Sequence, residues 1–419
     1  MSQSQFLILT VDLTISVCYF VDTKVLTFEI TTLGGFLMQR AIMIGAGNIG
    51  RGFIGALLAK SGYQVLFADV NQPIIDAINE KKQYTVHIKD TICRDFSIQN
   101  VRGISSAGEA LSQAVCDCDL ITTAVGVNVL PIVAKPLAEG LRRRMRAGNK
   151  QPLNLIACEN AIRATSQLKK AIFSFLNSEE QAFATRFIGF ADCAVDRIVP
   201  RALFNDVLDV AAEEYYEWDI ESTNWKGKRP QISDANFVKD LSPYIERKLF
   251  TLNSGHAICA YLGFLHGHET VLQSISDRAI SDIVYQAMQE SGNGLIQKFA
   301  LDETKHHAYI DRIVARFQNP YLEDSVLRVG RDPIRKLSAD ERLIKPLMTA
   351  VSYGCGVDHL LFGAAAALHF VNSEDLQSVR LQQMLQSKGV MHTLCEYSGL
   401  TLENPLTQRI TDIYRALNI

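Results

Sequence analysis

The sequence predicts an α/β protein in two parts, an N-terminal doubly wound parallel sheet followed by a C-terminal, mostly α-helical domain. Short apolar runs at 41–44, 119–126 and 153–160 alternate with segments of helical apolar spacing, which is typical of parallel strands buried on both faces. From residue 269 onward helical spacing dominates and is interrupted only by short polar breaks. A length of 419 residues suffices for two such domains.

Composition narrows the class of protein. The formal net charge of −3 argues against nucleic acid or an anionic membrane as the main partner. The nine cysteines form no CxxC motif and no Cys/His cluster at zinc-ligand spacing, so we expect reduced thiols in a cytoplasmic protein.

The first 37 residues differ from the rest of the chain. They are rich in β-branched and aromatic residues, lack a basic start, and carry aspartates that interrupt any apolar core, so they fit neither a signal peptide nor a membrane span. They are either a pair of edge strands or upstream sequence outside the working protein, and we favour the second, with the working protein starting at Met38. A Gly/Pro/polar connection around 224–236 then separates a predicted domain at 38–230 from one at 231–419.

A glycine-rich loop follows the first apolar strand. Gly45, Gly47 and Gly50 form a GxGxxG pattern between that strand and a helical segment, which is the phosphate-binding arrangement of Rossmann-type domains. The first glycine allows the tight turn, the second lets the backbone approach a pyrophosphate, and the third permits close helix–strand packing. The predicted cofactor-binding residues of the loop are Gly45, Ala46, Gly47, Asn48, Ile49, Gly50, Arg51 and Gly52.

The second strand selects the dinucleotide. It ends on Asp69, nineteen residues after Gly50, where a carboxylate would accept hydrogen bonds from the adenosine ribose diol and repel a 2′-phosphate. We therefore predict NAD rather than NADP. The alternative interpretation, a glycine-rich structural turn, leaves the acidic residue at this spacing without a purpose.

The next two predicted strands also end at the cofactor side of the sheet. Ligands of open parallel sheets bind beyond the carboxyl ends of the strands, so the residues at these ends are expected to face the cofactor. Asn160 also fits as the N-cap of the following helix, and the two roles are compatible. The basic run 141–150 is predicted to be a solvated face. The strand-end residues predicted to face the cofactor are Thr123, Ala124, Val125, Gly126, Glu159 and Asn160.

Five segments in order, GAGNIGRGFIG, TTAVG, ACEN, AVDRIVP and ERKLFTLNSGHA, resemble the polyol-specific long-chain dehydrogenases. The similarity runs from Met38 to near the C-terminus. It implies an NAD-binding Rossmann domain, a mostly helical C-terminal domain, a metal-independent hydride transfer and a monomer. It also implies a lysine base within a Lys-x4-Asn-x2-His motif, which falls on Lys248, Asn253 and His256, with the ACEN asparagine at Asn160.

The chemistry of these residues agrees with that role. On an α-helical wheel Lys248, Asn253 and His256 share one side, which by itself is most often a solvated or capping arrangement. Beside a dinucleotide site, however, alcohol oxidation needs a proton acceptor, and a lysine suits if burial or nearby positive charge lowers its pKa. Asn160 and Asn253 would then stabilise the developing oxyanion, His256 would orient the hydroxyl or the lysine, and Glu159 would exchange protons with Lys248.

The second half of the chain contains candidate residues for a phosphate site and for a metal site. The segment 328–346 is rich in Arg and Lys, and we predict that Arg335 and Lys336 bind a substrate phosphate. The pairs at 266/268 and 306/307 are the strongest metal candidates, yet neither has an acidic or thiol partner at ligand spacing in the sequence. We therefore predict no metal.

The motifs are most similar to family members that act on a phosphorylated hexitol, so a sugar or polyol phosphate is the expected small-molecule partner. A sister enzyme for an unphosphorylated polyol or a hexuronate would share the fold and the trio, and only the cations that bind phosphate would differ. A non-catalytic NAD-sensing or scaffold protein is the alternative from another class. It has no need for Lys248, Asn160, Asn253 and His256 together.

Overall fold

The computed structural model describes residues 13–21, 24–33, 36–200, 202–232, 234–322 and 324–417, with side chains from residue 38 onward. The chain divides into two compact units. The N-terminal unit comprises the described part of Met1–Ile88 together with Arg94–Lys239, and the C-terminal unit comprises Lys89–Cys93 with the described part of Asp240–Ile419.

The segment before residue 38 forms its own antiparallel sheet. Strands β1 (Leu13–Val21), β2 (Lys24–Leu33) and β3 (Phe36–Leu37) pair in the order β1-β2-β3 and add no strand to the parallel sheet. Residues 1–12, 22, 23, 34 and 35 lie outside the described residues, so the prediction that 1–37 stands apart from the working protein stays a prediction.

A six-stranded parallel sheet forms the centre of the N-terminal unit. Its spatial order is β8-β5-β4-β9-β10-β11, which is the 3-2-1-4-5-6 order of doubly wound dinucleotide-binding folds, with the switch point between β4 and β9. The strands are β4 (Arg40–Ile44), β5 (Gln64–Asp69), β8 (Val101–Ser105), β9 (Leu120–Thr123), β10 (Leu153–Ala157) and β11 (Ile188–Phe190).

Helices cover both faces of this sheet, which explains its nearly continuous apolar strands. Along β4, Ala41 and Met43 pack into one core cluster while Ile42 and Ile44 pack into another on the opposite face. The helices are α1 (Gly55–Lys60), α2 (Gln72–Lys81), α3 (Glu109–Val115), α4 (Leu130–Arg146), α5 (Ala164–Phe173) and α6 (Ser178–Phe187).

Two small sheets complete the N-terminal unit. One has the order β13-β6-β7 and the other β12-β14-β15. Their strands are β6 (Gln83–Ile88), β7 (Arg94–Gln99), β12 (Cys193–Asp196), β13 (Val210–Ala212), β14 (Glu217–Glu221) and β15 (Ala235–Val238).

The basic run at the end of α4 is not uniformly solvated, so that prediction was partly wrong. Arg144 is 1% exposed, and its guanidinium donates to the carbonyls of Val115, Cys116 and Cys118, where α3 ends. Those carbonyls lack helical partners, and a cation at a helix C-terminus satisfies them. Arg144 therefore fastens α4 to α3.

The C-terminal unit is built from helices. Its central helix α8 packs against α9, α10, α12 and α15, and almost every residue of α8 is buried. The helices are α7 (Ser242–Arg247), α8 (Ser254–Leu265), α9 (Val271–Ser276), α10 (Arg278–Phe299), α11 (Glu303–Phe317), α12 (Val326–Gly330), α13 (Pro333–Lys336), α14 (Lys345–Ser352), α15 (Asp358–Leu368), α16 (Leu376–Ser398) and α17 (Pro405–Ala416).

Two π-helical turns interrupt the regular helices. One is Gly50–Ile54, directly before α1, and the other is Lys248–Asn253, between α7 and α8. The α-helical geometry predicted for 248–253 was therefore wrong, because the i→i+5 bonds of a π-turn rotate its side chains relative to an α-helix. No helix in the described part of the chain is both long enough and apolar enough to cross a membrane.

Candidate active site

The glycine loop after β4 is shaped by close backbone contacts. Gly45 has φ +99°, and a Cβ atom there would lie 2.4 Å from the carbonyl oxygen of Ala124. At Gly50 a Cβ would lie 1.9 Å from the carbonyl oxygen of Gly45. A Cβ at Gly47, in contrast, would meet nothing within 4 Å, so the crest of the loop has open space for a ligand.

The predicted loop residues divide into a crest and a base. Gly47 and Asn48 are exposed and Ile49 is half-buried, whereas Ala46 and the residues 50–52 are buried. Arg51 is in the base, where its Nη1 donates to the carbonyl oxygen of Ala46 at 2.5 Å and burial lowers the pKa of its guanidinium. Arg51 thus supports the loop from beneath, and Gly47, Asn48 and Ile49 form the surface that could meet a pyrophosphate.

Asp69 is fixed beside the same loop. Its Oδ2 accepts a hydrogen bond from the Ala46 N–H at 2.6 Å, and its Oδ1 accepts one from the Asn71 N–H at 2.9 Å. Both oxygens keep lone pairs for further donors, because a carboxylate accepts about four hydrogen bonds. The geometry suits the predicted role of accepting from a ribose diol.

A pocket of about 980 Å³ opens at the carboxyl ends of these strands. Its size is at the upper end of the range of roughly 300–1,000 Å³ found for cofactor and ligand sites. Val70 and Ile132, which sequence reasoning missed, line it although they are 77% and 70% exposed, and their apolar surfaces offer faces for a flat adenine ring. The predicted residues in its lining are Gly45, Gly47, Asp69, Ala124 and Val125. The open crest at Gly47 and the oriented Asp69 carboxylate therefore fit a dinucleotide.

Glu159 holds the loop that follows β9. Its buried carboxylate accepts hydrogen bonds from Thr123 Oγ1 at 2.7 Å, from the Val125 N–H at 3.0 Å and from the Gly126 N–H at 2.9 Å. Helix α5 begins at Ala164, so the interpretation of Asn160 as its N-cap was wrong. These contacts give Glu159 a positioning role in the N-terminal unit, and its exchange of protons with Lys248 stays a prediction.

In the C-terminal unit, the predicted trio occupies accessible positions of the segment 248–263. Lys248, Asn253 and His256 are partly exposed, while every other residue from 249 to 263 is buried. The π-turn that begins this segment is held from behind, because the Ser291 hydroxyl of α10 donates to the carbonyl oxygen of Phe250 at 2.9 Å. Asn253 and His256 are therefore accessible positions in an otherwise buried segment, and Lys248 is the last of the partly exposed residues 242–248 that precede it.

His256 has a carboxylate partner that sequence reasoning missed. Its Nε2 lies 3.1 Å from Oδ2 of Asp324, and its ring stacks on Phe317 with centroids 5.0 Å apart. Burial of Asp324 opposes ionisation, but the hydrogen bond and charge of His256 together with Arg328 hold the pKa of the carboxyl below its usual value. Asp324 is 68 residues from His256, so no local pattern could have indicated the pair.

The cation-rich segment is joined to the trio's helix. The Ser254 hydroxyl, at the start of α8, contacts the carbonyl oxygens of Leu249 and Arg342 at 3.0 and 2.5 Å. Further along α8, the Tyr261 hydroxyl donates to the carbonyl oxygen of Gly330 at 2.7 Å. The structure thus places the predicted trio and the predicted phosphate segment on one scaffold within the C-terminal unit.

The two predicted phosphate ligands have different surroundings. Arg335 is exposed and already engaged by Glu341 at 2.8 Å and Asp332 at 3.5 Å. Lys336 is 3% exposed, and burial, with the charges of Arg342 and Arg335, lowers the pKa of its amine to about 7. Among the residues that the structure describes, no carboxylate forms an ion pair with Lys336.

Comparison with protein families identifies the chain. Residues 39–234 match the mannitol dehydrogenase Rossmann domain, and residues 240–418 match the mannitol dehydrogenase C-terminal domain. The chain belongs to the mannitol dehydrogenase family. The match confirms the predicted Rossmann domain with a mostly helical C-terminal part, the predicted oxidoreductase class and the predicted NAD cofactor.

Solved structures share the fold at low sequence identity. A D-sorbitol dehydrogenase in substrate-free form is 16% identical, with 90% of this chain and 92% of that one covered at a TM-score of 0.77. The Pseudomonas fluorescens mannitol 2-dehydrogenase in ternary complex with NAD and D-mannitol is also 16% identical, with the same coverage and a TM-score of 0.71. At this identity the likeness concerns the fold alone.

One expectation about metals was wrong. His266 and His268 do have an acidic neighbour, because Asp277 lies with them in a cluster whose ligand atoms are all within 4.8 Å of one another. Asp277 comes nine residues after His268, across helix α9, and no local pattern indicates that the chain returns there. The other pair contains His306, which is buried, and burial lowers the pKa of its imidazole to about 4.

Proposed function

We propose that the protein is a mannitol-1-phosphate 5-dehydrogenase, which interconverts D-mannitol 1-phosphate and D-fructose 6-phosphate with NAD. Membership of the mannitol dehydrogenase family supports an NAD-dependent polyol dehydrogenase. The observation that carries the phosphate is Lys336, a buried amine with no carboxylate partner among the described residues. The amine donates to the carbonyl oxygen of Arg331, but a buried ammonium group with no anionic partner is costly, and an anionic ligand would offset that cost.

The N-terminal unit holds the cofactor in this proposal. The crest Gly47, Asn48 and Ile49 meets the pyrophosphate with backbone N–H groups, and Asp69 accepts the ribose hydroxyls. Thr123, Ala124 and Val125, fixed by Glu159, line the nicotinamide side of the site. When bound, NAD supplies the hydride acceptor, and the protein's own residues supply orientation and proton transfer.

The C-terminal unit supplies the proton chemistry. Lys248 takes the proton of the reacting hydroxyl, and the Asn253 amide donates to the oxygen as charge develops on it. Asn160 is the proposed second donor. His256, oriented by Asp324 and by its stack on Phe317, orients the hydroxyl or the lysine. In the reverse direction Lys248 returns the proton to the carbonyl oxygen.

Phosphate recognition centres on Lys336, with Arg331 and Arg342 as neighbours in the same segment. Binding of a phosphate dianion stabilises the charged amine, which raises its pKa from about 7 towards the ordinary lysine value. At pH 8 the free amine is mostly neutral, so we expect uptake of nearly one proton when fructose 6-phosphate binds. Below about pH 6 the amine is already protonated and the uptake disappears. Calorimetry in buffers of different ionisation enthalpy measures this number.

The deciding experiment is NADH oxidation by purified protein with fructose 6-phosphate, run beside fructose, fructuronate and tagaturonate, each repeated with NADPH. We expect rapid turnover only with the phosphate and only with NADH. Equal turnover on an unphosphorylated ketose or a hexuronate would keep the mechanism but refute the phosphate site. Bound NADH with no turnover on any of the four would favour the non-catalytic alternative.

A matched pair of variants tests the phosphate residue. Lys336→Met keeps the length of the side chain and removes the charge, so KM for fructose 6-phosphate should rise by about 10–100-fold while NADH affinity stays constant. Lys345→Met removes a half-exposed cation, paired with Glu246, from the same segment and should change KM by less than threefold. Equal effects of the two variants would contradict the assignment of Lys336.

A further inference from the structure

Two histidines are presented by a rigid turn at the end of helix α8. The turn closes through hydrogen bonds from the Gly267 N–H to the carbonyl oxygen of Phe264 at 3.1 Å and from the His268 N–H to that of Gly263 at 2.8 Å. Gly267 has φ +76°, the left-handed conformation that ends many helices. His266 and His268, on either side of this glycine, therefore have fixed backbone positions.

Asp277 approaches them from the start of helix α10. Its Oδ1 is occupied as the helix cap, accepting from the N–H groups of Ala279 at 2.9 Å and Ile280 at 3.5 Å. Its Oδ2 is directed to the histidines, 3.7 Å from His266 Nδ1 and 3.5 Å from His268 Nε2. One carboxylate oxygen thus orients the side chain, and the other is available as a ligand.

These distances are close to those of a metal centre. Around a tetrahedral Zn²⁺ with bonds of about 2.0–2.1 Å, neighbouring ligand atoms are roughly 3.3 Å apart. The Nε2 atom of His268 is buried, and its 3.5 Å approach to Asp277 Oδ2 does not form a hydrogen bond of good geometry, so the nitrogen keeps its capacity to bind a ligand. His266 is 39% exposed, so its ring can turn to complete the site and a cation can enter from solvent.

We propose that His266, His268 and Asp277 form a binding site for a transition-metal ion of the Zn²⁺ type, with water as the remaining ligand. Two imidazoles and one carboxylate are ligands that Zn²⁺ binds well, whereas Mg²⁺ and Ca²⁺ prefer oxygen alone. The carbonyl groups at the end of α8 add negative potential that favours a cation.

The site would act on stability and not on the reaction. His266 is ten residues beyond His256 on the same helix, which corresponds to about 15 Å. A bound ion links the end of α8 to the start of α10 across the short helix α9. The proposal does not depend on the proposed function, because it concerns ligands outside the trio and the phosphate segment.

The test is titration of the tag-free, metal-stripped protein with ZnCl₂ in a calorimeter, with thermal unfolding followed in parallel. We expect one equivalent of Zn²⁺ to bind and to raise the unfolding midpoint by several degrees. His266→Ala with His268→Ala should weaken binding at least 100-fold and abolish the thermal shift. His392→Ala, which removes an exposed histidine elsewhere in the unit, should change neither.

Asp277→Asn separates the ligand role from the cap. Asparagine caps a helix about as well as aspartate, so the midpoint without metal should hold, while zinc affinity falls at least tenfold. Co²⁺ serves as a second probe, since thiolate ligands give an intense charge-transfer band that this site would lack. Unchanged zinc binding in the double histidine variant, a thiolate band, or no binding to the parent protein would each overturn the proposal.

Discussion

Gly50–Ile54 and Lys248–Asn253 are both π-helical turns directly before a helix, yet they differ in which residues are exposed to solvent. The first is wholly buried, and its contribution is to fix the backbone of the glycine crest before it. The second buries Leu249, Phe250, Thr251 and Leu252 and leaves polar side chains at its two ends partly exposed. The first turn is thus a buried support for the exposed backbone at Gly47 and Asn48, and the second leaves an amine and an amide accessible at its ends.

This difference explains why the glycine loop of the N-terminal unit and the trio of the C-terminal unit carry different kinds of sequence information. A phosphate-binding loop needs residues with little or no side chain, so the spacing of its glycines indicates the loop in the sequence. A proton-transfer site needs particular side chains in a particular environment, and environment depends on distant residues such as Asp324. Substitutions in the glycine loop should therefore change NADH binding or stability, whereas substitutions in the trio or its partners should change the rate of the reaction.

Lys248→Ala is the change with the largest expected effect. Removal of the base should lower kcat by about 10²–10⁴-fold, with NADH binding unchanged because the N-terminal unit is intact. Stopped-flow hydride transfer and NADH fluorescence titration measure the two quantities. Lys305→Ala, at a side chain that is 85% exposed, is the control and should turn over normally. A near-normal rate in the Lys248 variant would mean that another group takes the proton.

Asp324→Asn tests whether His256 is positioned by its carboxylate. A hydrogen bond to a charged group is worth about 1.5–3 kcal/mol, so we expect kcat to fall by roughly 10–100-fold with little change in KM. Asp324→Glu, which returns a carboxylate, should restore activity, because the imidazole needs an acceptor at this position. A change confined to thermal stability would show that Asp324 is merely structural.

Gly50→Ala and Gly47→Ala form a pair within one loop. At Gly50 the new methyl group would collide with the Gly45 carbonyl, so the free energy of unfolding should drop by about 1–3 kcal/mol. At Gly47 the methyl group enters open space, so stability should hold while NADH affinity decreases. Denaturant unfolding and NADH titration distinguish the two. The reverse pattern would refute the division into crest and base.

Asp69→Asn should have the smallest effect. Asparagine keeps one acceptor oxygen for the loop but removes the charge that repels a 2′-phosphate. At separations of a few ångströms in a solvated site that repulsion is about 1 kcal/mol, so the preference for NADH over NADPH should weaken by roughly five- to tenfold. The ratio of kcat/KM for the two cofactors measures it, and an unchanged ratio would assign discrimination elsewhere.

Much of the N-terminal unit could be predicted because its signals are local. Strands buried on both faces are continuous apolar runs, and the loop glycines follow the GxGxxG spacing directly after the first strand. The burial of Arg144 could not be predicted, since it depends on carbonyl groups at the end of a helix 28 residues earlier. The charge of Arg144 predicted exposure to solvent, but the folded chain places buried carbonyl oxygens within reach of its guanidinium.

In the C-terminal unit the trio stays a prediction that rests on the resemblance, and neither its π-helical geometry nor the carboxylate partner of His256 could be predicted. The π-turn is stabilised by Ser291, and the carboxylates of Asp324 and Asp277 reach histidines through chain reversals that no periodicity records. The different surroundings of Arg335 and Lys336 could not be predicted for the same reason. Two adjacent cations have equal sequence weight, and only burial separates them.

Glu159 limits the substitutions that evolution can accept at residue 123 and at residue 159 itself. One carboxylate satisfies a hydroxyl and two amide hydrogens of the 123–126 loop, and it immediately precedes Asn160. A glutamine would oppose an N–H group with an NH₂ group, and a shorter aspartate would lose reach. We therefore expect residues 123 and 159 to be inherited as a unit, with replacements at one tolerated only when the other changes too.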